Sequence, residues 1–147
     1  ALDAALEREG SRIAGSGEIA PELAGGRLFA ATYRTGPSVH APLEPVTATA
    51  VFEDGKLVLW MPAQAPAPAR AAAAAVLGIG EGSVVLHRTM AGGSYGSRLE
   101  HRVAEQAALL ARELGRPVQL TWSRAESLMH TAPRPPAAAR MTARLAA

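Results

Sequence analysis

Apolar residues recur along this chain in two rhythms, an alternation of period two that predicts strands and a spacing of three to four that predicts helices. Alternating, β-branched stretches predict strands at residues 27–33, 47–53, 56–60, 84–88 and 118–122, with residues 140–145 alternating as a final strand. Asp54-Gly55, set between two such runs, predicts a hairpin turn. A short helix is expected over residues 2–9, ended by Gly10, and residues 15–26 read as a flexible connector. Pro68 suits the first turn of a second helix, which continues through the alanine run 71–75 to Leu77 and stops at Gly78. The strongest helical pattern covers residues 98–114, with Val103, Ala107, Leu110 and Leu114 on one stripe and Gly115 at the end. Ser123 and Glu126 have the spacing of a capping box for a brief helix ending near His130.

Strands separated by helices require crossovers. The expected fold class is therefore α+β, a mixed sheet with helices in the order β-β-α-β-α-β. The sequence divides into a connector with a short helix (1–26) and an α+β domain (27–147).

Composition narrows the chemistry. Of the 147 residues, 48% are hydrophobic but only 4% aromatic, so the core must be built mainly from Ala, Val and Leu. Lys and Arg number 15 against 13 Asp and Glu, and the arginines are scattered rather than gathered into a basic stripe, which argues against nucleic-acid binding. The absence of cysteine excludes disulfides, thiolate metal sites, Fe–S ligation and a cysteine nucleophile within these residues. No apolar run is long enough to span a membrane. The start at Ala1, without Met or a signal pattern, is read as that of a fragment.

One segment has a physical rationale for ligand binding. Gly92, Gly93 and Gly96 lie between a predicted strand and the long helix, where glycine allows positive φ and close backbone approach, and a helix N-terminus favours an oxyanion. A structural glycine turn would satisfy the same pattern. Gly92-Gly93-Ser94-Tyr95-Gly96 also matches the G-x-S-x-G nucleophile elbow. A triad would need Glu113 or Glu126 with His130, because no Asp follows Asp54. A serine hydrolase and a non-catalytic interaction or assembly module therefore stay as alternatives. His40, His87, His101 and His130 lack paired metal spacing, and no metal-ligand set is expected. Trp60 and Trp122 end strands and read as the edge of the core, while Gln64 sits on a proline-stiffened loop that aims a neutral side chain.

Taken in order, four stretches (HAPLEPVTATA at 40–50, DGKLVLWMPAQ at 54–64, AGGSYGSRLE at 91–100 and GRPVQLTWSRAESLMH at 115–130, followed by Arg134-Pro135) resemble the molybdopterin-binding subunit of the xanthine dehydrogenase/aldehyde oxidase family. The likeness extends to its isoquinoline 1-oxidoreductase-type and aldehyde dehydrogenase-type members. It covers residues 33–145, a slice of a much longer subunit. The resemblance implies that Gly92, Gly93, Ser94, Tyr95, Gly96 and Arg98 form the cofactor loop, with Tyr95 in an aromatic position. It implies that Gln64 hydrogen-bonds the molybdenum centre. Ser94 departs from the usual third glycine. The implied activity is hydroxylation of an aldehyde or N-heterocycle, with molybdenum–molybdopterin (cytosine dinucleotide form) as cofactor. Electrons would leave through a separate Fe–S subunit or domain. The family's general base lies in a segment outside these residues, so no catalytic residue is assigned. An isolated chain of this kind is expected to be inactive, to need the remainder of the subunit as partner, and to self-associate.

Overall fold

Asp54 and Gly55 both adopt positive φ, 49° and 73°. That pair of left-handed residues is what a two-residue type I′ hairpin requires, and it folds the strand Thr47–Glu53 directly back on Lys56–Met61. The computed structural model describes residues 1–17 and 28–144. In chain order the elements are α1 (Leu2–Leu6), β1 (Leu28–Thr35), β2 (Thr47–Glu53), β3 (Lys56–Met61) and α2 (Pro66–Leu77), then β4 (Val84–Arg88), α3 (Arg102–Leu114), β5 (Val118–Thr121), α4 (Arg124–His130) and β6 (Ala137–Arg144). The segment read as a connector lies mostly outside the described residues.

The architecture is mixed α+β. Four strands form a sheet in the order β4-β3-β2-β5, in which β3 and β4 run parallel and the other neighbours antiparallel. A parallel pair needs a crossover, and α2 supplies it. Leu57, Leu59 and Met61 alternate onto the covered face of β3, while Val58 and Trp60 point to the other side. Helix α3 lies across β2 and β5, and α2 packs against α3 and β4. Glycines at φ 68° and 59° (Gly78 and Gly115) end α2 and α3 in left-handed caps.

Two expectations are corrected here. The buried stripe of α3 is Val103, Ala104, Ala107, Ala108 and Ala111; Leu110 and Leu114 are exposed. The helix sits close on the sheet, so its contact line admits only small side chains and the leucines are displaced to its flank. The helix also starts at Arg102 rather than residue 98, because Ser97–Leu99 form a separate 3-10 turn and Glu100 is extended.

The contacts divide the chain into two compact units, Val39–Pro133 and Ala1–Ser38 with Arg134–Ala147. The first holds the four-stranded sheet. In the second, β1 and β6 pair antiparallel along eight residues, from Leu28 opposite Arg144 to Thr35 opposite Ala137. Ion pairs from Arg34 to Asp3 and from Arg140 to Glu7 tie α1 to this ribbon.

Candidate functional site

The glycine loop follows β4 and changes direction through three left-handed residues, Gly93 (φ 93°), Tyr95 (φ 55°) and Gly96 (φ 105°). The Ser94 carbonyl accepts from the Ser97 N–H at 3.0 Å and from the Ser97 hydroxyl at 2.8 Å, closing the turn. The extended residue Glu100 then separates this turn from α3. The loop is therefore not served by the α3 N-terminus, as the sequence pattern suggested. It offers its own backbone instead. The N–H groups of Gly93, Ser94 and Gly96 make no hydrogen bond among the described residues. A Cβ on Gly93 would stand 3.2 Å from Pro42 Cβ, and one on Gly96 3.3 Å from His40 Nε2, so the segment around His40 backs the loop closely.

Gln64 is brought to the same place by β3. After Met61, the buried Pro62 and Ala63 carry the chain across to the loop. There Gln64 N–H donates to the Arg98 carbonyl at 2.9 Å, and Arg98 N–H donates to Gln64 Oε1 at 3.2 Å. This reciprocal pair settles the orientation of the amide. A backbone N–H must meet the carbonyl oxygen, which leaves the NH₂ end as a donor for something else.

Arg98 turns inward. Its side chain is only 4% exposed, and Nη2 donates to the carbonyls of Glu44 (2.8 Å) and Pro45 (3.0 Å). Burial lowers the affinity of this guanidinium for its proton; Glu44, 3.7 Å away, opposes that shift, and Arg124 adds to it. Arg98 thus joins the site as a tie between segments rather than as a cation presented to solvent. Its Nε and Nη1 are buried without a partner among the described residues.

Glu44 also belongs to the site, although its sequence pattern does not single it out. Its carboxylate accepts from Gly92 N–H at 2.8 Å, while its own N–H donates to the Gly92 carbonyl at 3.1 Å. A Cβ on Gly92 would lie 2.7 Å from Glu44 Cβ. Gly92 is therefore glycine for want of space. The only signal in the sequence was a carboxylate inside the proline-stiffened run from Pro42 to Pro45.

The remaining candidates separate from this cluster. No histidine hydrogen-bonds the Ser94 hydroxyl among the described residues, and the left-handed strain falls on Tyr95 rather than on Ser94, so the elbow of a serine hydrolase is missing. No group of three or more histidines and carboxylates that could hold a metal occurs among the described residues. Trp122 is core, with its indole N–H on Gln106 Oε1 at 2.8 Å, whereas Trp60 is partly exposed and stacks on His87 at 5.4 Å. An open groove of about 540 Å³ lies elsewhere, between α3, β5 and α4, with Leu109, Leu110 and Leu120 along it. No described helix is long and apolar enough to cross a membrane.

Against known proteins, residues 6–147 match the model of the family described as molybdopterin cofactor-binding domain. The isoquinoline 1-oxidoreductase subunit beta of Brevundimonas diminuta is 34% identical over 90 residues, which are 60% of this chain and 12% of that protein. The crystal structure of quinoline 2-oxidoreductase from Pseudomonas putida 86 is similar with a TM-score of 0.64 and 28% identity, covering 79% of this chain and 15% of that one. Aldehyde oxidoreductase from Desulfovibrio gigas shares the fold, with a TM-score of 0.65 at 24% identity, over 82% of this chain and 14% of that one. The chain thus spans well under a fifth of the length of each of these relatives.

Proposed function

Because the chain belongs to the molybdopterin cofactor-binding domain family, we propose that it forms one wall of a molybdenum–molybdopterin site in a longer oxidoreductase subunit. The substrate class is aldehydes or N-heterocycles, which the names of its relatives support. The observation that carries this reading is the reciprocal pair between Gln64 and Arg98, which turns the Gln64 amide NH₂ outward beside the N–H groups of Gly93, Ser94 and Gly96, unpaired among the described residues.

These residues fit an anionic, oxygen-rich cofactor. Neutral N–H donors on a rigid backbone hold oxyanions without a compensating counter-charge, and positive-φ glycines let the backbone approach closely. In this reading Gly92, Gly93, Ser94, Tyr95 and Gly96 line the cofactor, Gln64 donates from its NH₂ group, and Arg98 holds the loop from beneath. When bound, the cofactor supplies two-electron hydroxylation at an electrophilic carbon. The chain's own residues bind and orient; none is assigned as acid or base. The cytosine dinucleotide form of the cofactor, a separate Fe–S subunit or domain as electron acceptor, and the division of the sequence at residues 26/27 belong to the same proposal. The first two rest on the resemblance of the four motifs, the third on the reading of residues 15–26 as a connector.

The test is the metal itself. The longer protein that carries this domain is expected to purify with molybdenum and to release a fluorescent oxidised pterin on acid treatment. The 147-residue chain alone is expected to show no oxidation of aldehydes or N-heterocycles, since one wall does not preorganise a whole pocket. A longer protein free of both molybdenum and pterin after expression with full cofactor supply would leave only an interaction or assembly module.

A further inference from the structure

We infer that Glu44 is the positioning residue of the glycine loop, the group that fixes which backbone N–H groups the loop keeps for a ligand. The inference rests on the proposed cofactor site and adds Glu44 to it.

Three observations converge on this carboxylate. Gly92 and Glu44 exchange two hydrogen bonds, Gly92 N–H to Glu44 Oε2 at 2.8 Å and Glu44 N–H to Gly92 O at 3.1 Å. The first is charge-assisted and thus stronger than a neutral bond. Next, the Arg98 guanidinium grips the Glu44 carbonyl at 2.8 Å and approaches the Glu44 carboxylate at 3.7 Å, so Glu44 links the loop's first glycine to the residue that closes the loop. Finally, the segment holding Glu44 is itself constrained. Ala41 adopts a positive φ of 39°, uncommon for a residue with a Cβ, and Pro42 and His40 stand 3.2 Å and 3.3 Å from where Cβ atoms on Gly93 and Gly96 would lie.

The division of donors follows from this clamp. Of the loop's N–H groups, Gly92 is spent on Glu44, Ser97 on Ser94, Arg98 on Gln64 and Leu99 on Gly96. Those of Gly93, Ser94 and Gly96 have no partner among the described residues. Without the carboxylate, Gly92 would lose its charged acceptor and the turn could relax toward conformations that pair the remaining groups internally. Glu44 is only partly exposed and touches neither of the positive-φ glycines through its carboxylate, so it acts through Gly92 and Arg98 rather than on a ligand.

The experiment compares Glu44→Ala with Glu44→Gln. In the 147-residue chain, amide hydrogen exchange and NMR shifts are read at Gly92, Gly93, Ser94 and Gly96, with the amides of β2 and β3 as an internal control for folding. In the longer oxidoreductase, molybdenum per subunit and the separate kcat and KM values are read. Glu44→Ala is expected to speed exchange at Gly92 by on the order of tenfold or more, as loss of a hydrogen bond to a charged group implies. It should move the Gly93 and Gly96 resonances while leaving the β2 and β3 amides in place. Glu44→Gln keeps a carbonyl oxygen for Gly92 and is expected to restore most of the protection, a rescue that simple loss of packing would not give. Unchanged exchange at Gly92 and unchanged Gly93 and Gly96 shifts in Glu44→Ala would overturn the inference, as would equal loss in both variants. If the loop amides respond but molybdenum content and kinetics in the longer protein do not, the positioning role stands and the cofactor reading of the loop fails.

Discussion

Glycine is present at positions 92, 93 and 96 for two different reasons, backbone conformation and space. Gly93 and Gly96 need glycine for conformation, with φ of 93° and 105°, which the Gly-rich pattern announces. Gly92 needs it for space, because Glu44 Cβ occupies the room a side chain would take. That reason depends on a residue 48 positions away in sequence, and local patterning carries no trace of it. Gly92→Ala is therefore expected to destabilise the chain by about 1–3 kcal/mol through overpacking. Thermal unfolding checks this; a shift within error of zero would mean that the loop yields to Glu44 without cost. Gln64 was legible as an aimed neutral side chain, but its partner was not. The Arg98 N–H that orients it is a backbone atom, and any residue at position 98 other than proline would look equivalent in sequence.

At the scale of elements, the ends set by local chemistry were readable and those set by packing were not. The Asp54-Gly55 hairpin and the Gly78 cap of α2 need only their own neighbours, and both are present. The capping box of α4 is complete, with Ser123 Oγ accepting from Glu126 N–H at 3.2 Å and Glu126 Oε2 accepting from Ser123 N–H at 2.9 Å. Helix α3 starts four residues later than its pattern predicts because Arg98, continuous with a good helical pattern, is drawn out of it by the carbonyls of Glu44 and Pro45. The pairing of β1 with β6 was likewise invisible, since alternation identifies a strand and not its partner.

The capping box gives a prediction with a sign. The Ser123 N–H bond holds the Glu126 carboxyl below the usual carboxylate range, with the Ser123 side chain adding to the effect. A depressed folded-state value means that its stabilisation is present above the usual carboxylate range and is lost as pH falls through the depressed value. Wild-type α4 is thus expected to lose amide protection as pH falls through the usual carboxylate range and below it. Glu126→Gln should lack that component of the pH dependence. NMR shifts and exchange at Ser123 and Glu126 across this range check it; identical pH profiles in the two chains would contradict the assignment.

Taken whole, the molecule is an alanine-rich α+β structure whose core is a sheet face packed against α3 and whose distinguishing chemistry lies at one corner of the unit Val39–Pro133. The corner unites segments from three parts of the sequence: Glu44, Gln64, and the loop from Gly92 to Arg98. The sequence displayed the loop and Gln64 as separate pieces, and only the fold joins them. Their union is the central claim, and it separates a steric requirement from a chemical one. Gly96→Val forces a β-branched residue to a φ of 105°, at a strain of order 1–3 kcal/mol, and crowds His40. Gln64→Ala removes one neutral side chain, and with it the acceptor of Arg98 N–H, but leaves the Ser94–Ser97 bonds that close the turn. The most direct measurement is molybdenum per subunit together with kcat for both variants in the proposed longer oxidoreductase. Gly96→Val is expected to lose bound molybdenum and with it all molybdenum-dependent oxidation, while Gln64→Ala keeps most of its molybdenum and turns over more slowly. Full molybdenum and full activity in Gly96→Val would contradict the account and return the loop to a structural turn.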